Sequence, residues 1–175
     1  MERWQTDDAT AFEALFRQYE GLVFRNAYFI TGSRLEAEEI TQDVFVSVWK
    51  ARRTFNPDKG KVTTWLHRIT VNKCLERQRK KKPMVIPIEN IELPGGEGSE
   101  EVVMNREERE QILSAMSSLD NKHRAVLVLR YFNELTYDEI ALTMGIPTGT
   151  VKSRIYTAIQ TLRKQLCVQK REAST

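Results

Sequence analysis

Residues suited to catalysis or metal binding are few in this sequence of 175 residues. Its two histidines, His67 and His123, do not stand at a metal-ligand spacing from any Cys, Asp or Glu. The glycine-rich stretch 95–98 lacks the lysine of a phosphate-binding loop, and the chain carries neither a nucleophile elbow nor a kinase signature. We therefore predict that the protein is not an enzyme and has no catalytic residue, metal, cofactor or small-molecule substrate. Both histidines are expected at the surface or at a helix end.

Positively charged side chains are better candidates for a functional site, because they are concentrated in two segments. Residues 73–82 contain six Lys and Arg and one acid, and residues 150–171 contain six Lys and Arg and no acid. Between them, residues 83–105 contain five glutamates and no Lys or Arg. Two basic segments separated by an acidic one predict two contacts with a polyanion such as nucleic acid.

The second basic segment begins within a helix-turn-helix pattern at residues 136–155. Thr136 and Glu139 predict a capping box, Gly145 the left-handed turn, and Thr148 the cap of the second helix. The apolar stripe of that helix consists of Val151, Ile155, Ala158, Ile159, Leu162 and Leu166. The polar side chains facing away from it are those of Thr150, Lys152, Ser153, Arg154, Tyr156 and Thr157. Donors and cations near the N-terminal end of the second helix are typical of a helix that enters the major groove of DNA.

The first half of the chain predicts a different nucleic-acid contact. Residues 55–73 interleave aromatic side chains with cations and small polar residues. An unstacked base needs a flat ring and its phosphate needs a positive charge, so this pattern suits a single strand. Phe55 and Trp65 could equally be core residues, and the pattern alone leaves both interpretations open.

Hydrophobic periodicity predicts an all-α protein of two small helical bundles. In the first bundle we expect helices at 12–27, from Ser33 to before Asn56, and from a cap at Thr63 or Thr64. Residues 83–100 contain three prolines and three glycines and predict a flexible acidic linker. The predicted bundles are residues 1–82 and 101–175.

The location predicted from composition is the cytoplasm, without stable membrane insertion. No apolar run approaches the roughly eighteen residues of a membrane-spanning helix. The first eight residues are polar and acidic, which does not fit a secretory signal. Two cysteines, Cys74 and Cys167, offer no disulfide framework and fit a reducing compartment.

Three stretches together resemble a known family. Residues 37–49, 64–72 and 119–166, the last including Gly149-Thr-Val-Lys-Ser-Arg154, are similar in order and spacing to a bacterial RNA polymerase sigma factor of the extracytoplasmic-function type. The resemblance implies a subunit that directs promoter-specific transcription initiation in a stress or envelope response. It also implies a region 2-like domain at 1–82 and a region 4-like domain at 101–175. The implied partners are core RNA polymerase, promoter DNA and an anti-sigma factor.

The resemblance assigns three sets of residues. Contacts with core polymerase are expected from Glu38, Glu39, Gln42 and Asp43. Contacts with the melted −10 element and its flank are expected from Phe55, Lys61, Trp65, Arg68, Asn72, Lys73 and Arg77. Contacts with the duplex −35 element are expected from Thr148, Thr150, Lys152, Ser153, Arg154, Tyr156 and Thr157. The alternative is an autonomous helix-turn-helix regulator whose residues 1–82 sense a ligand or dimerise.

Overall fold

The computed structural model describes residues 9–80 and 114–172, and within these ranges the chain forms helices and turns without a strand. The chain divides into two compact units, residues 1–96 and 97–175. The expected all-α class with two helical units is thus confirmed. The predicted linker, residues 83–100, and the predicted start of the second bundle at residue 101 lie outside the described residues.

The first unit contains three helices that pack against one another: α1 (Ala9–Thr31), α2 (Arg34–Ala51) and α3 (Val62–Lys80). Helix α1 extends past the predicted end at residue 27 because its last turn, including Tyr28, Phe29 and Ile30, is buried. The largest fully buried side chains of this unit are those of Val23, Ile30, Ile40, Val44, Val48, Leu66 and Val71.

The turn between α1 and α2 combines a left-handed glycine with a side-chain cap. Gly32 takes a left-handed φ of 75°, a conformation that glycine adopts without steric penalty. The side chain of Ser33 then accepts a hydrogen bond from the N–H of Glu36 at 3.4 Å, which caps α2. Helix α2 therefore starts where the sequence places it.

The connection from α2 to α3 consists of two short 3₁₀ turns, Arg52–Thr54 and Pro57–Lys59. The N–H of Trp65 donates to the carbonyl of Lys61 at 3.2 Å, so α3 already begins at Val62. The prediction that Thr63 or Thr64 caps this helix is wrong, because both threonines lie inside its first turn.

The second unit contains α4 (Asn121–Leu127), α5 (Tyr137–Met144) and α6 (Thr148–Glu172), preceded by helical residues 114–117. Asp120 caps α4, which continues as a π-helical turn, Val128–Phe132. Helix α6 packs against both α4 and α5. Leu119, Leu127 and Ala158 form a buried cluster on which Ile159 and Leu162 pack.

Candidate nucleic-acid interface

Helices α5 and α6 form the predicted helix-turn-helix. The side chain of Thr136 accepts from the N–H of Glu139 at 3.3 Å, and the carboxylate of Glu139 accepts from the N–H of Thr136 at 2.8 Å. Gly145 has a φ of 64°, and the next N–H, of Ile146, donates to the carbonyl of Ala141 at 3.1 Å. Both the capping box and the left-handed glycine are therefore confirmed.

The start of α6 differs from the prediction in one respect. The carbonyl of Pro147 accepts the first helical hydrogen bonds, from Thr150 at 2.9 Å and Val151 at 3.1 Å. Thr148 is consequently the first residue of the helix and not its cap. Its hydroxyl donates to the carboxylate of Asp138 at 3.0 Å, which ties the beginning of α6 to the beginning of α5.

The two faces of α6 separate as the periodicity predicts. Val151, Ile155 and Ala158 are buried against the unit. On the opposite side, the side chains of Lys152, Ser153, Tyr156 and Thr157 are exposed, and those of Thr148, Thr150 and Arg154 are half-buried along its edges. The residues that pack and the residues that could reach DNA thus occupy different sides of one helix.

A second polar face lies on α3 in the first unit. Arg68 and Asn72 are exposed and stand four residues apart, so they project from the same side of the helix. Lys61, exposed just before α3 begins, stands seven residues before Arg68 and shares that side. A cation, a guanidinium and an amide in one row suit a phosphate backbone with an accessible base edge.

The two aromatic residues of this region are not equivalent. Phe55 is only 8% exposed, and the centroid of its ring lies 5.3 Å from that of Trp65. The structure thus favours the alternative in which Phe55 is a core residue supporting its neighbour. Trp65 is half-buried, and its contact with a base stays a prediction.

Acidic and basic members of the predicted sites contact each other in this unit. The guanidinium of Arg77, near the end of α3, forms an ion pair with the carboxylate of Glu39 on α2. Lys73 is half-buried on the same helix. The sequence places Glu39 in one expected site and Arg77 in another, and their pairing is visible only after α2 packs on α3.

The exposed side of α2 carries more than the predicted polar residues. Glu38, Gln42 and Asp43 are exposed, and Glu38 accepts from Arg34 at 2.8 Å. Leu35 and Val46 are also exposed, by 67% and 51%. Their spacing from Gln42, seven residues and four, places them on the same side of α2. Interruptions of the apolar stripe could have revealed these two residues in the sequence.

The expectation for the histidines is half wrong. His67 is buried between helices, and its Nδ1 lies 2.9 Å from Nδ2 of Asn26 on α1. Burial lowers the pKa of His67 to about 4. His123 does lie at a helix end, where its Nδ1 is 2.8 Å from the carboxylate of Asp120. Burial acts to raise the pKa of Asp120, but hydrogen bonds from the backbone and ring of His123 outweigh it and lower the pKa.

Two further properties concern only residues 9–80 and 114–172. In these ranges, groups of three His, Cys, Asp or Glu side chains close enough to hold a metal ion are absent. The described helices also include none whose length and apolar character would let it span a membrane.

Taken with its exposed cations, the helix-turn-helix defines a DNA-binding protein. Two family models match the chain, Sigma-70 region 2 over residues 15–83 and Sigma-70, region 4 over residues 115–164. ECF RNA polymerase sigma factor SigW of Bacillus subtilis is 34% identical over 172 residues, which covers 91% of this chain and 90% of that protein. The chain belongs to the sigma-70 family, in its extracytoplasmic-function group. It is therefore a sigma factor, which directs RNA polymerase to promoters. The family membership favours this interpretation over that of an autonomous helix-turn-helix regulator.

Two solved structures share the fold. CnrH in complex with the cytosolic domain of CnrY matches with a TM-score of 0.68 at 23% identity, covering 95% of this chain and 94% of that chain. The sigma factor RpoE in complex with the anti-sigma factor NepR, from Bartonella quintana, matches with a TM-score of 0.69 at 20% identity, covering 91% and 99%. Both likenesses concern the arrangement of helices.

Proposed function

We propose that three separate faces of this sigma factor divide the recognition of polymerase and promoter. The exposed side of α2 binds core RNA polymerase, the polar row on α3 holds the melted −10 strand, and the outer side of α6 reads the −35 duplex. The observation that carries the proposal is the separation of buried apolar side chains from exposed polar side chains on α6. Val151, Ile155 and Ala158 are buried against the unit, so Lys152, Ser153 and Arg154 are left for DNA.

For the polymerase contact, the relevant feature is the mixed character of α2. Leu35 and Val46 are large exposed apolar residues, one at the start of the helix and one in its C-terminal half, with Gln42 between them. Exposed apolar side chains are what a protein interface buries, and the acids beside them would repel the phosphates of a nucleic acid. We therefore extend the predicted polymerase contacts, Glu38, Glu39, Gln42 and Asp43, to include Leu35 and Val46.

For the −10 contact, Lys61, Arg68 and Asn72 form the proposed row along the strand, and Trp65 offers its half-buried ring to an unstacked base. The ring of Phe55 packs against that of Trp65. Lys73 and Arg77 extend the positive charge toward the end of α3. Arg77 can contact DNA only after its ion pair with Glu39 breaks.

An anti-sigma factor is proposed as a further partner. RpoE of Bartonella quintana was solved bound to the anti-sigma factor NepR, and CnrH to the cytosolic domain of CnrY. A partner that covers α2 or α6 would prevent polymerase or DNA from binding. We propose also that the chain is not an enzyme and acts in the cytoplasm, where bacterial RNA polymerase meets the chromosome.

The direct test is a pull-down of bacterial core RNA polymerase with the purified chain, followed by run-off transcription from a library of genomic fragments. Stoichiometric polymerase binding and new start sites are expected, and the aligned start sites yield the −10 and −35 sequences. The genes downstream then test the predicted stress or envelope response. Specific duplex binding without any polymerase binding would contradict the proposal.

A further inference from the structure

The ring of Tyr137 contacts two cations from other parts of the second unit. Tyr137 is the first residue of α5. The guanidinium carbon of Arg130, in the π-helical turn after α4, lies 5.2 Å from the centroid of its ring. The ammonium nitrogen of Lys152, on α6, lies 6.0 Å from the same centroid. One aromatic ring thus connects three elements of the helix-turn-helix unit.

Arg130 is held in place independently of the ring. One of its terminal nitrogens, Nη1, donates to the carbonyl of Leu135 at 2.9 Å. The guanidinium therefore bridges the π-helical turn and the loop before α5. Because this cation is anchored to the backbone, it limits how far the ring of Tyr137 can move.

This arrangement restricts the rotational freedom of the Lys152 side chain. Its ammonium ends a flexible chain of four carbons and is exposed on the outer side of α6. A lysine that contacts a phosphate must give up much of its rotational freedom. Attraction to the ring face restricts the ammonium before DNA arrives, so less freedom is lost on binding.

The hydrogen bond between Thr148 and Asp138 stabilises the same junction. Asp138 follows Tyr137 directly, and Thr148 lies one helical turn before Lys152. Two contacts therefore join the first turn of α5 to the first turns of α6. They fix the first turns of α6, from which the side chain of Lys152 projects.

We propose that Tyr137 is a positioning residue, whose ring orients the Lys152 ammonium toward a phosphate of the −35 duplex. The inference rests on the proposed contact between Lys152 and DNA. Tyr137 is 38% exposed, and a cation–π contact at such a site changes an equilibrium by about two- to fivefold.

The test is a double-mutant cycle on the full-length chain. Tyr137→Leu, Tyr137→Phe, Lys152→Ala and the combination of Tyr137→Leu with Lys152→Ala are titrated into a labelled −35 duplex by fluorescence anisotropy, between about 50 and 200 mM salt. Tyr131→Leu is the matched control, because Tyr131 is also an exposed tyrosine of this unit. Circular dichroism melting checks that each variant folds.

Tyr137→Leu is expected to weaken binding by about two- to fivefold, and Tyr137→Phe, which keeps the ring, to bind like the parent. Lys152→Ala should reduce the salt slope by about one, and Tyr137→Leu should have no further effect in its background. Tyr131→Leu should bind like the parent.

Three outcomes would overturn the inference. An equal loss from Tyr137→Leu with and without Lys152 would show that the ring acts elsewhere. An equal loss from Tyr137→Phe would assign the effect to the hydroxyl. Unchanged binding by Lys152→Ala would remove the proposed phosphate contact as well, which distinguishes failure of the proposed function from failure of the positioning role alone.

Discussion

The carboxylate of Glu39 on α2 forms an ion pair with the guanidinium of Arg77 on α3. The side chains are 44% and 27% exposed, so the pair lies at the edge of the first unit and is accessible to solvent. Each residue belongs to a different proposed contact, Glu39 to polymerase and Arg77 to DNA. In the free chain, therefore, the acid reduces the charge that the arginine could offer to a phosphate.

Glu39→Gln is expected to strengthen binding of single-stranded DNA by the free chain, because Arg77 loses its anionic partner. One additional phosphate contact would steepen the logarithmic salt dependence by about 0.7. The measurement is anisotropy with a labelled oligonucleotide at several salt concentrations. Glu38→Gln is the control, since Glu38 pairs with Arg34 on its own helix. A salt slope that Glu39→Gln leaves unchanged would show that Arg77 does not reach DNA.

Asp43→Lys is expected to weaken binding to core polymerase by at least about tenfold, because it reverses a charge in the middle of the proposed docking side. Affinity is measured by competition with a labelled parent chain for core polymerase. Glu20→Lys, an equal charge change at an exposed position of α1, should bind like the parent. Equal losses from both variants would point to net charge and not to this side of α2.

Arg154→Ala is expected to reduce −35-dependent transcription by about tenfold or more while polymerase binding stays intact. Arg154 is half-buried on the outer side of α6, where a guanidinium can reach the major groove. Run-off transcription and the polymerase pull-down are measured on the same preparation. Arg163→Ala, exposed farther along α6, is the control. Loss of polymerase binding by Arg154→Ala would contradict the assignment.

Stability of the first unit should depend on the protonation of His67. Burial lowers its pKa from 6.5 to about 4, so the unfolded chain binds the proton more readily than the folded chain. The free energy of unfolding should consequently fall as the pH decreases from about 6.5 to about 4, by on the order of 1 kcal/mol per pH unit. Above pH 6.5 this contribution is fully present.

Urea unfolding followed by tryptophan fluorescence measures this dependence selectively, because all three tryptophans belong to the first unit. His67→Gln should lessen the dependence over this range, whereas His123→Gln should retain it. Equal pH profiles for the parent and His67→Gln would show that another group is responsible.

Gly145→Ala is expected to destabilise the second unit by about 1 kcal/mol, because φ is 64° there. A Cβ at this position meets no atom within 4 Å, so the effect is one of backbone conformation. Gly149→Ala, inside α6 and equally unobstructed, should instead stabilise by roughly 0.5–1 kcal/mol. Thermal unfolding by circular dichroism compares the two variants. A stabilising Gly145→Ala would be incompatible with the left-handed turn.

The sequence by itself determined the local features of this protein. The capping box at Thr136, the left-handed glycine at 145 and the buried stripe of α6 depend on residues a few positions apart, so their patterns can be read along the chain. The helix-turn-helix and its cationic outer side were predictable for this reason. Together with the stretches in the first unit, they were specific enough to indicate the family.

Tertiary structure decided the contacts that join distant positions. His67 is buried against Asn26, 41 residues earlier, and no local pattern distinguishes it from a surface histidine. Phe55 is a core residue because it packs on Trp65, and Arg77 pairs with Glu39 because α2 packs against α3. These outcomes depend on which helix faces meet. Packing determines whether a side chain is buried or exposed, and whether a charge stays available for a partner or is neutralised within the protein.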